Sequence, residues 1–397
     1  MNNSLKSLSN SALEKLKDFT PIYDEQWKYT SVNKFNKFDF DSELFSDNSK
    51  TKFTNKDNIL LVNNILKNQS TITFDILSLK DAFNNNVNNC KNLFNQTIQN
   101  DKNQFILYNT AYFQNGNYFY FEEKFNQNEP IYIDNIIKQN NHQSFFNNRF
   151  LFHFGKGSTA TIVLNESNDL KVLSNIVYEL YLEEDANIQF IIDSKKPKTT
   201  QILNFGSIIN KNACLKLFPI DISGKLIKNN YFINLNAKNS QFHYNGLNLL
   251  NNSDHIDNYI EVNHNNQYST SHINHKNILN GKSKGIFYSK STINNNSPNS
   301  EAHQNNNNLI LSKDSIVHSN PQLMIYNNDV QCSHGSTTGE INDEALFYLR
   351  SRGIPLYEAK KVLLHAFLND IIDSIVNEAI NLNLKEKINS WISKYVN

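Results

Sequence analysis

The chain has few cysteines and no long apolar run, and both absences narrow its class. Its 397 residues include three cysteines, Cys90, Cys214 and Cys332, which are far apart and odd in number. A disulfide framework is therefore not expected, and a reducing compartment is. No apolar run approaches the roughly 18 residues of a membrane span. The N-terminal stretch has leucines at helical spacing but neither the apolar block of a signal peptide nor the arginines of a transit peptide. These features predict a cytoplasmic protein without a membrane anchor.

The chain also lacks an excess of charge of either sign. Its 38 basic and 38 acidic side chains cancel, so nothing attracts nucleic acid over long range. The segment "FGKGST" at 154–159 is only faintly like a phosphate loop, because Leu151 stands where the first glycine is required. ATP binding by this chain is not expected. The abundance of Asn is interpreted as codon bias and not as a functional low-complexity tract.

The chain is rich in short runs in which apolar and polar residues alternate. From about residue 104 they follow one another as "YFYFEE", "RFLFHF", "NIQFIID" and others, with the period of two that predicts strands. A small residue precedes such a strand at Ala186, Ala213 and Ser240, at equal spacing. A repeat of this length, with several strands in each unit, favours a β-solenoid, in which small residues occupy corners and Asn side chains form ladders between coils. A jelly roll with accidental spacing is the alternative.

Helical periodicity is expected at both ends of the chain. Residues 1–100 are predicted to form an N-terminal helical region, 101–340 the β-solenoid core and 341–397 a C-terminal helical region. In the last of these, Asn342 is a candidate N-cap and Gly353 a candidate C′ residue. Pro355 opens a second helix predicted to run to about residue 380, and a third helix ends the chain.

Cys332 and His334 are the most interesting candidate ligands. Residues i and i+2 of an extended segment project to the same face, and a thiolate beside an imidazole suits iron or zinc. Two ligands are too few, because tetrahedral sites and iron–sulfur clusters need about four. Either a second chain completes the site or Cys332 is a partly buried cysteine beside a turn. For His264, His272, His275 and His303 a structural or surface role is expected, because His272 and His275 would face opposite sides of a strand.

The C-terminal third resembles the SufB/SufD family of iron–sulfur assembly scaffolds. Residues 320–367 carry a P-x-L-x-I strand, "CSHG", a G-x-I-N turn and "FYLRSRG", the pattern of the SufD branch. "EQWKYT" at 25–30 is similar to the N-terminal motif of that branch, and the resemblance is weakest over 31–100. The longer SufB branch commonly has clustered cysteines, which this chain lacks.

The resemblance implies a right-handed parallel β-helix between helical ends, in a scaffold that is not an enzyme. It also implies a complex with SufB, paired through the β-helix, and with the ATPase SufC, bound through the C-terminal helices. His334 would lie at the SufB interface and contribute to a transient iron–sulfur cluster, with Cys332 a less certain ligand. No cofactor would be held stably by the chain alone. Contact with SufC, or a hinge, is implied for the helix end, where plain packing is the alternative for Phe347, Tyr348, Leu349, Arg350, Arg352 and Gly353.

In the mechanism that this resemblance suggests, ATP binding closes two SufC subunits and strains the SufB–SufD pair through the C-terminal helices, which opens the interface to iron and sulfide. Two other functions remain possible from the sequence. One is a SufB-like scaffold that works as a homodimer, and self-association without SufB is left open. The other is a β-helix carbohydrate-active enzyme, which the sparse carboxylates of the strand region disfavour.

Overall fold

The protein is a parallel β-solenoid with helices at both ends, seen in a computed structural model. The structure describes residues 3–19, 25–31, 33, 35, 58–62, 65–68, 74–85, 87–98, 103–113, 115–137 and 145–396. Strand accounts for 49% and helix for 25%, and the solenoid has about seven turns. The predicted mainly β fold with flanking helices is confirmed. None of the helices in these ranges is both long enough and apolar enough to cross a lipid bilayer.

The helices and strands follow in chain order, with the N-terminal helices before most of the strands and three helices after them. The helices are α1 Asn3–Lys17, α2 Leu79–Asn84, α3 Cys90–Leu93, α4 Gln104–Tyr112, α5 Asp343–Ser351, α6 Leu356–Asp373 and α7 Glu378–Tyr395. The strands are β1 Ile59–Val62, β2 Ile65–Asn68, β3 Asp75–Ser78, β4 Asn115–Phe121, β5 Ile131–Ile136, β6 Phe145–Phe154, β7 Thr159–Asn165, β8 Leu173–Leu182, β9 Asn187–Ile209, β10 Cys214–Leu235, β11 Gln241–Leu250, β12 His255–His264, β13 Thr270–Leu279, β14 Lys284–Ile293, β15 Ser300–Ile310, β16 Ile316–Ile325 and β17 Val330–Gly339.

Two parallel sheets form the walls of the solenoid. One sheet stacks β4, β6, β8, the second halves of β9 and β10, then β12, β14 and β16. The other stacks β1, β5, β7, the first halves of β9 and β10, then β11, β13, β15 and β17. Inward-facing aromatic rings fill the space between the walls, and the rings of Phe119 and Phe152 stack at 4.5 Å between centroids.

The corner of each coil explains the sequence repeat. A residue in the left-handed region, such as Asp185 or Asn212, turns the chain, and a fully buried small residue follows. A larger side chain has no room there, because the next coil stacks directly on it. The buried small residues at this corner are Ser158, Ala186, Ala213, Ser240, Ser269 and Ser300. The repeat therefore extends beyond the three units visible in the sequence.

Asparagine side chains connect the coils in ladders, as the sequence predicted. Asn239 donates from Nδ2 to Oδ1 of Asn212 at 3.1 Å, and Asn212 donates to Asp185 at 2.9 Å. Another ladder joins Asn277 to Asn308, in the buried part of the wall. The first of these ladders is exposed, whereas in the second the amides satisfy one another where water is excluded. Part of the Asn excess therefore has a structural role.

The predicted boundaries differ from those of the structure at three places. Strands β1, β2 and β3 lie in the segment predicted to be helical, because β1 pairs with β5 of the wall. Helix α4 lies inside the predicted strand region, so the uninterrupted strands begin at Asn115. The helix predicted from Pro355 to about residue 380 ends at Asp373, and α7 starts at Glu378 after an N-cap on Asn377. The predicted caps of the first C-terminal helix are confirmed, since Asn342 caps α5 and Gly353 has φ of +83°.

Candidate interface and ligand site

The last coil of the solenoid presents an open edge. Among the described strands, β16 pairs only with β14 and β17 only with β15. β16 is mostly half-buried and β17 is largely exposed, in contrast to the buried strands of the preceding coils. The backbone groups along their free edges are available to another chain, because the edge strand of a sheet is a template for pairing.

Cys332 and His334 lie on this last coil and share one face of β17. Cys332 stands opposite Ala302 of β15, and His334 stands opposite Gln304. Both of those β15 side chains are buried in the interior of the solenoid. Cys332 and His334 therefore occupy the inward face of a coil that no described strand covers, with Cys332 half-buried and His334 exposed. The side chains of Cys332 and His334 thus lie on the same face of β17, as the sequence predicted.

The floor beneath His334 is rigid. Gln304 accepts a hydrogen bond from Ser289 Oγ at 2.6 Å and donates from Nε2 to Ser291 Oγ at 2.7 Å and to the Gln322 carbonyl at 3.0 Å. The amide thereby connects both sheets under the last coil. A histidine on such a support keeps its position when a partner or an ion approaches.

The thiol of Cys332 is held in its protonated form. Burial raises the pKa of this thiol above its ordinary value, against a weaker opposite effect of a hydrogen bond with the Ala302 backbone. A metal ion would have to displace that proton, since thiolate is the ligand form. Within the described ranges, no three His, Cys, Asp or Glu side chains converge to hold an ion. Cys332 and His334 are thus two candidate ligands, and no third candidate converges on them within these ranges.

Gly335 is not required by the fold of the chain itself. Its φ is not positive, and a Cβ placed there would have Asn305 Oδ1 as its nearest contact at 3.8 Å, an ordinary van der Waals distance. A glycine inside a strand destabilises a fold by roughly 0.5–1 kcal/mol relative to alanine. Its presence beside His334 fits a close approach by another backbone.

Helix α5 follows β17 after three residues and has no buried side chain. Phe347 is 74% exposed and Tyr348 is 58% exposed. The Arg352 guanidinium lies over the Tyr348 ring at 5.4 Å, and Leu349 is half-buried. Arg350 is exposed in the last helical turn, where its charge complements the helix dipole. The six residues predicted for partner contact lie together on and after α5, and the apolar ones among them are mostly uncovered.

Helices α6 and α7 are, in contrast, fixed to the solenoid. Leu364 and Leu368 of α6 and Ile388 and Trp391 of α7 pack on outward apolar side chains of the second sheet. Lys276 of β13 forms an ion pair with Asp370. The C-terminal region therefore has an anchored part and an unanchored helix, α5, with Gly353 between them.

Sequence reasoning did not find the role of "EQWKYT". Glu25 accepts a hydrogen bond from Tyr288 of β14, and the Tyr29 ring stacks on His318 of β16 at 4.1 Å. Thr30 donates to Asp257 of β12. The motif is a strap that runs across three neighbouring coils up to the open end, and nothing in its own sequence indicates which strands it crosses.

The fold and the site place the chain in the class of parallel β-solenoid proteins, with an open last coil that carries the Cys–Ser–His–Gly segment. Residues 136–367 match the model of the SufBD core domain of the SUF system for iron–sulfur cluster assembly. That match covers more than half of the chain, and the chain belongs to this family.

Curated relatives agree with the family match. The chain is similar to the iron–sulfur cluster assembly protein SufD of Escherichia coli, with 26% identity over 236 residues, 59% of this chain and 56% of the relative. A SufBD family protein of Synechocystis is 25% identical over 231 residues, 58% of this chain and 51% of the relative. SufD of Plasmodium berghei is 23% identical over 276 residues, 68% of this chain and 20% of the relative. The match spans about half the length of the two bacterial relatives.

Proposed function

We propose that this chain is a scaffold subunit of SUF iron–sulfur assembly, which pairs with SufB at its open coil and is coupled to the ATPase SufC through α5. The observation that carries the proposal is the placement of Cys332 and His334 on the inward face of an uncovered last coil. A site with two ligands at a free sheet edge is completed by whatever chain pairs with that edge.

The free edges of β16 and β17 support pairing with a second solenoid. Addition of a strand to an exposed edge supplies main-chain hydrogen bonds, and side chains beside the edge supply selectivity. Met324, Ile325 and Tyr326 at the end of β16 are 38%, 46% and 57% exposed. Large apolar side chains in such a position are typical of an interface.

The nascent cluster is cargo in this proposal, and His334 is its first ligand from this chain. An iron–sulfur cluster needs about four protein ligands, so SufB would supply the others. Cys332 is a secondary ligand, because burial keeps its thiol protonated. The chain's contribution is to hold the imidazole on the rigid Gln304 support while SufB closes over it.

The exposed face of α5 supports the SufC contact. An aromatic pair with an arginine over one ring is the composition enriched at the energetic centres of protein interfaces. A pull on α5 reaches β17 through the three-residue connection between them, so movement of SufC subunits on ATP binding would act on the strand that carries His334.

The test is His334→Ala in the co-expressed complex. We expect SufB and SufC to co-purify in the same proportions by native mass spectrometry, while iron and sulfide assembled on the complex fall by about tenfold or more, as for loss of a metal ligand. Gln331→Ala is the matched control, because it lies on the opposite face of the same strand and should leave assembly unchanged.

Two results would contradict the proposal. Unchanged iron and sulfide in His334→Ala would remove the ligand role. A native mass equal to two copies of this chain, with SufB present and unbound, would replace heteromeric pairing by the homodimer alternative.

A further inference from the structure

Three histidines form a column on the outer face of the second sheet, separate from the inward face that carries His334. His243 of β11 is in register with His272 of β13, and His272 is in register with His303 of β15. The ring centroids lie 5.3 Å and 5.1 Å apart, with interplanar angles of 7° and 18°. Each ring is half-buried. Parallel coils thus place one imidazole directly above the next.

The column lies in a groove that runs along the solenoid to the open coil. One hollow of about 430 Å³ is lined by Cys214, Lys216, His243 and Ser374, the residue after α6. A second, of about 480 Å³, is lined by His272, His303, Ser333 and His334 among others. His243 and Asn245 line both hollows and join them. The groove therefore leads past the three imidazoles to the strand on which His334 stands.

The pKa values of His243 and His272 are lowered, and the rings of the column have nitrogens available. Burial lowers the pKa of His243 to about 4, with further lowering by the charges of His272 and Lys216. Burial also lowers the pKa of His272, with a smaller contribution from His303. No hydrogen bond joins the His243 or His272 imidazole to another described residue. Nδ1 of His303 lies 2.7 Å from Ser333 Oγ, which leaves Nε2 of that ring open.

We propose that this column is a second metal site, at which neighbouring imidazoles share one divalent first-row transition-metal ion at a time. Neutral imidazole is the ligand form of histidine, and it suits ions such as iron, cobalt and zinc. Two nitrogens on one ion lie at most about 4.2 Å apart, because each metal–nitrogen bond is about 2.1 Å. Binding at this site therefore requires rotation of the side chains, which turns the nitrogens of rings stacked at 5.3 Å and 5.1 Å toward one ion.

The column provides pairs of ligands and not a closed cage, in keeping with the absence of three converging ligands in the described ranges. His272 belongs to both pairs, so an ion can pass from the His243–His272 pair to the His272–His303 pair. The last pair lies beside Ser333, one residue before His334. Water would complete the coordination, and the binding is correspondingly weak. The binding site stands on this geometry alone, whereas the identity of the ion as iron on its way to the open coil rests on the proposed function.

The test is a Co²⁺ titration of the purified, tag-free chain. Calorimetry and the visible absorption of the bound ion measure the affinity of the column for Co²⁺. We expect binding by the unmodified chain and an affinity lower by about tenfold or more in His272→Asn, since loss of an imidazole ligand exceeds the loss of an outer-shell partner. His303→Asn should reduce binding less, because the other pair remains. His365→Gln is the matched control, because that histidine lies on α6 and bonds Asn389.

The same titration on His334→Ala separates this inference from the proposed function. Unchanged Co²⁺ binding in that variant, with loss in His272→Asn, supports the column as a distinct site whatever the outcome of cluster assembly. With selective ¹⁵N labelling of histidine, we expect broadening of the His243, His272 and His303 ring signals on addition of Co²⁺. Absence of binding, equal binding by His272→Asn, or loss in His334→Ala alone would each overturn the inference.

Discussion

Arg149 connects the N-terminal region to the first coils of the solenoid and is fully buried. On β6, its guanidinium forms an ion pair with Glu179 of β8 and donates from Nη1 to Thr110 Oγ1 at 3.1 Å. It also donates to Asn95, and it lies over the Phe94 ring at 4.1 Å. One cation thus organises three segments that are distant in the sequence.

Replacement of Arg149 by Met should destabilise the protein by about 3–5 kcal/mol, because it leaves the Glu179 carboxylate buried without a cation. The Thr97 hydroxyl also donates to that carboxylate, at 3.1 Å, but this bond is already present in the unchanged protein and does not replace the lost cation. The free energies of unfolding of natural domains are about 5–15 kcal/mol, so the loss is a large fraction of the total. Urea unfolding followed by circular dichroism measures it.

A second variant identifies the cause. Arg149→Met combined with Glu179→Gln removes the uncompensated charge, and we expect it to recover about 1–3 kcal/mol of the loss, the usual range for coupled neighbours. Lys198→Met is the control, because its ion pair with Asp169 is exposed on both sides and should contribute less than about 1 kcal/mol. A loss below about 1 kcal/mol in Arg149→Met, or a further loss in the double variant, would refute the reasoning.

Three other predictions concern pH, the open coil and α5. Burial raises the pKa of Asp221 to about 6, so the stability that its protonated form provides is present below pH 4 and is lost as pH rises through 6. Asp221→Asn should remove about 1–3 kcal/mol of this pH dependence of stability. Urea unfolding of both proteins at pH 5 and 7.5 measures it, and equal pH dependence in both would contradict the prediction. Gly335→Ala should raise the stability of the isolated chain by about 0.5–1 kcal/mol while weakening SufB pairing in pull-down; a destabilised chain would show that the fold itself needs the glycine. Phe347→Ser should change stability by less than about 0.5 kcal/mol and weaken SufC binding in calorimetry, and unchanged binding would remove α5 from that interface.

Local sequence patterns predicted most of the strands, the corners of the coils and the helix caps, because each of these depends on neighbouring residues. Asn342 and Gly353 act through hydrogen bonds and dihedral angles within one turn of helix, and Ala186 and Ala213 mark corners that recur at a fixed spacing. The strands β1 to β3 were not predicted, because β1 is placed by its pairing with β5, far along the chain. Pairing over such a distance leaves little trace in local periodicity.

The open coil shows the same division between local and distant information. That Cys332 and His334 share a face follows from the alternation of a strand, and the structure adds that the face is inward and uncovered. The histidine column needed the register between coils. A signal for it did exist, because His243, His272 and His303 repeat with the same two intervals as the corner residues Ser240, Ser269 and Ser300.

The features left uncovered by the fold are concentrated at one end of the molecule, and their connections make them a mechanical unit. The free edge, the inward face of His334 and the end of the histidine groove all belong to β16 and β17, while α5 follows β17 after three residues. Helices α6 and α7 are fixed to earlier coils by buried leucines and by Lys276. A force on α5 would therefore act on β17 on one side and on the Gly353 turn on the other. Because β17 is held by β15 alone among the described strands, as β16 is held by β14 alone, it can be displaced without breaking the pairing of the earlier coils, and His334 would move with it.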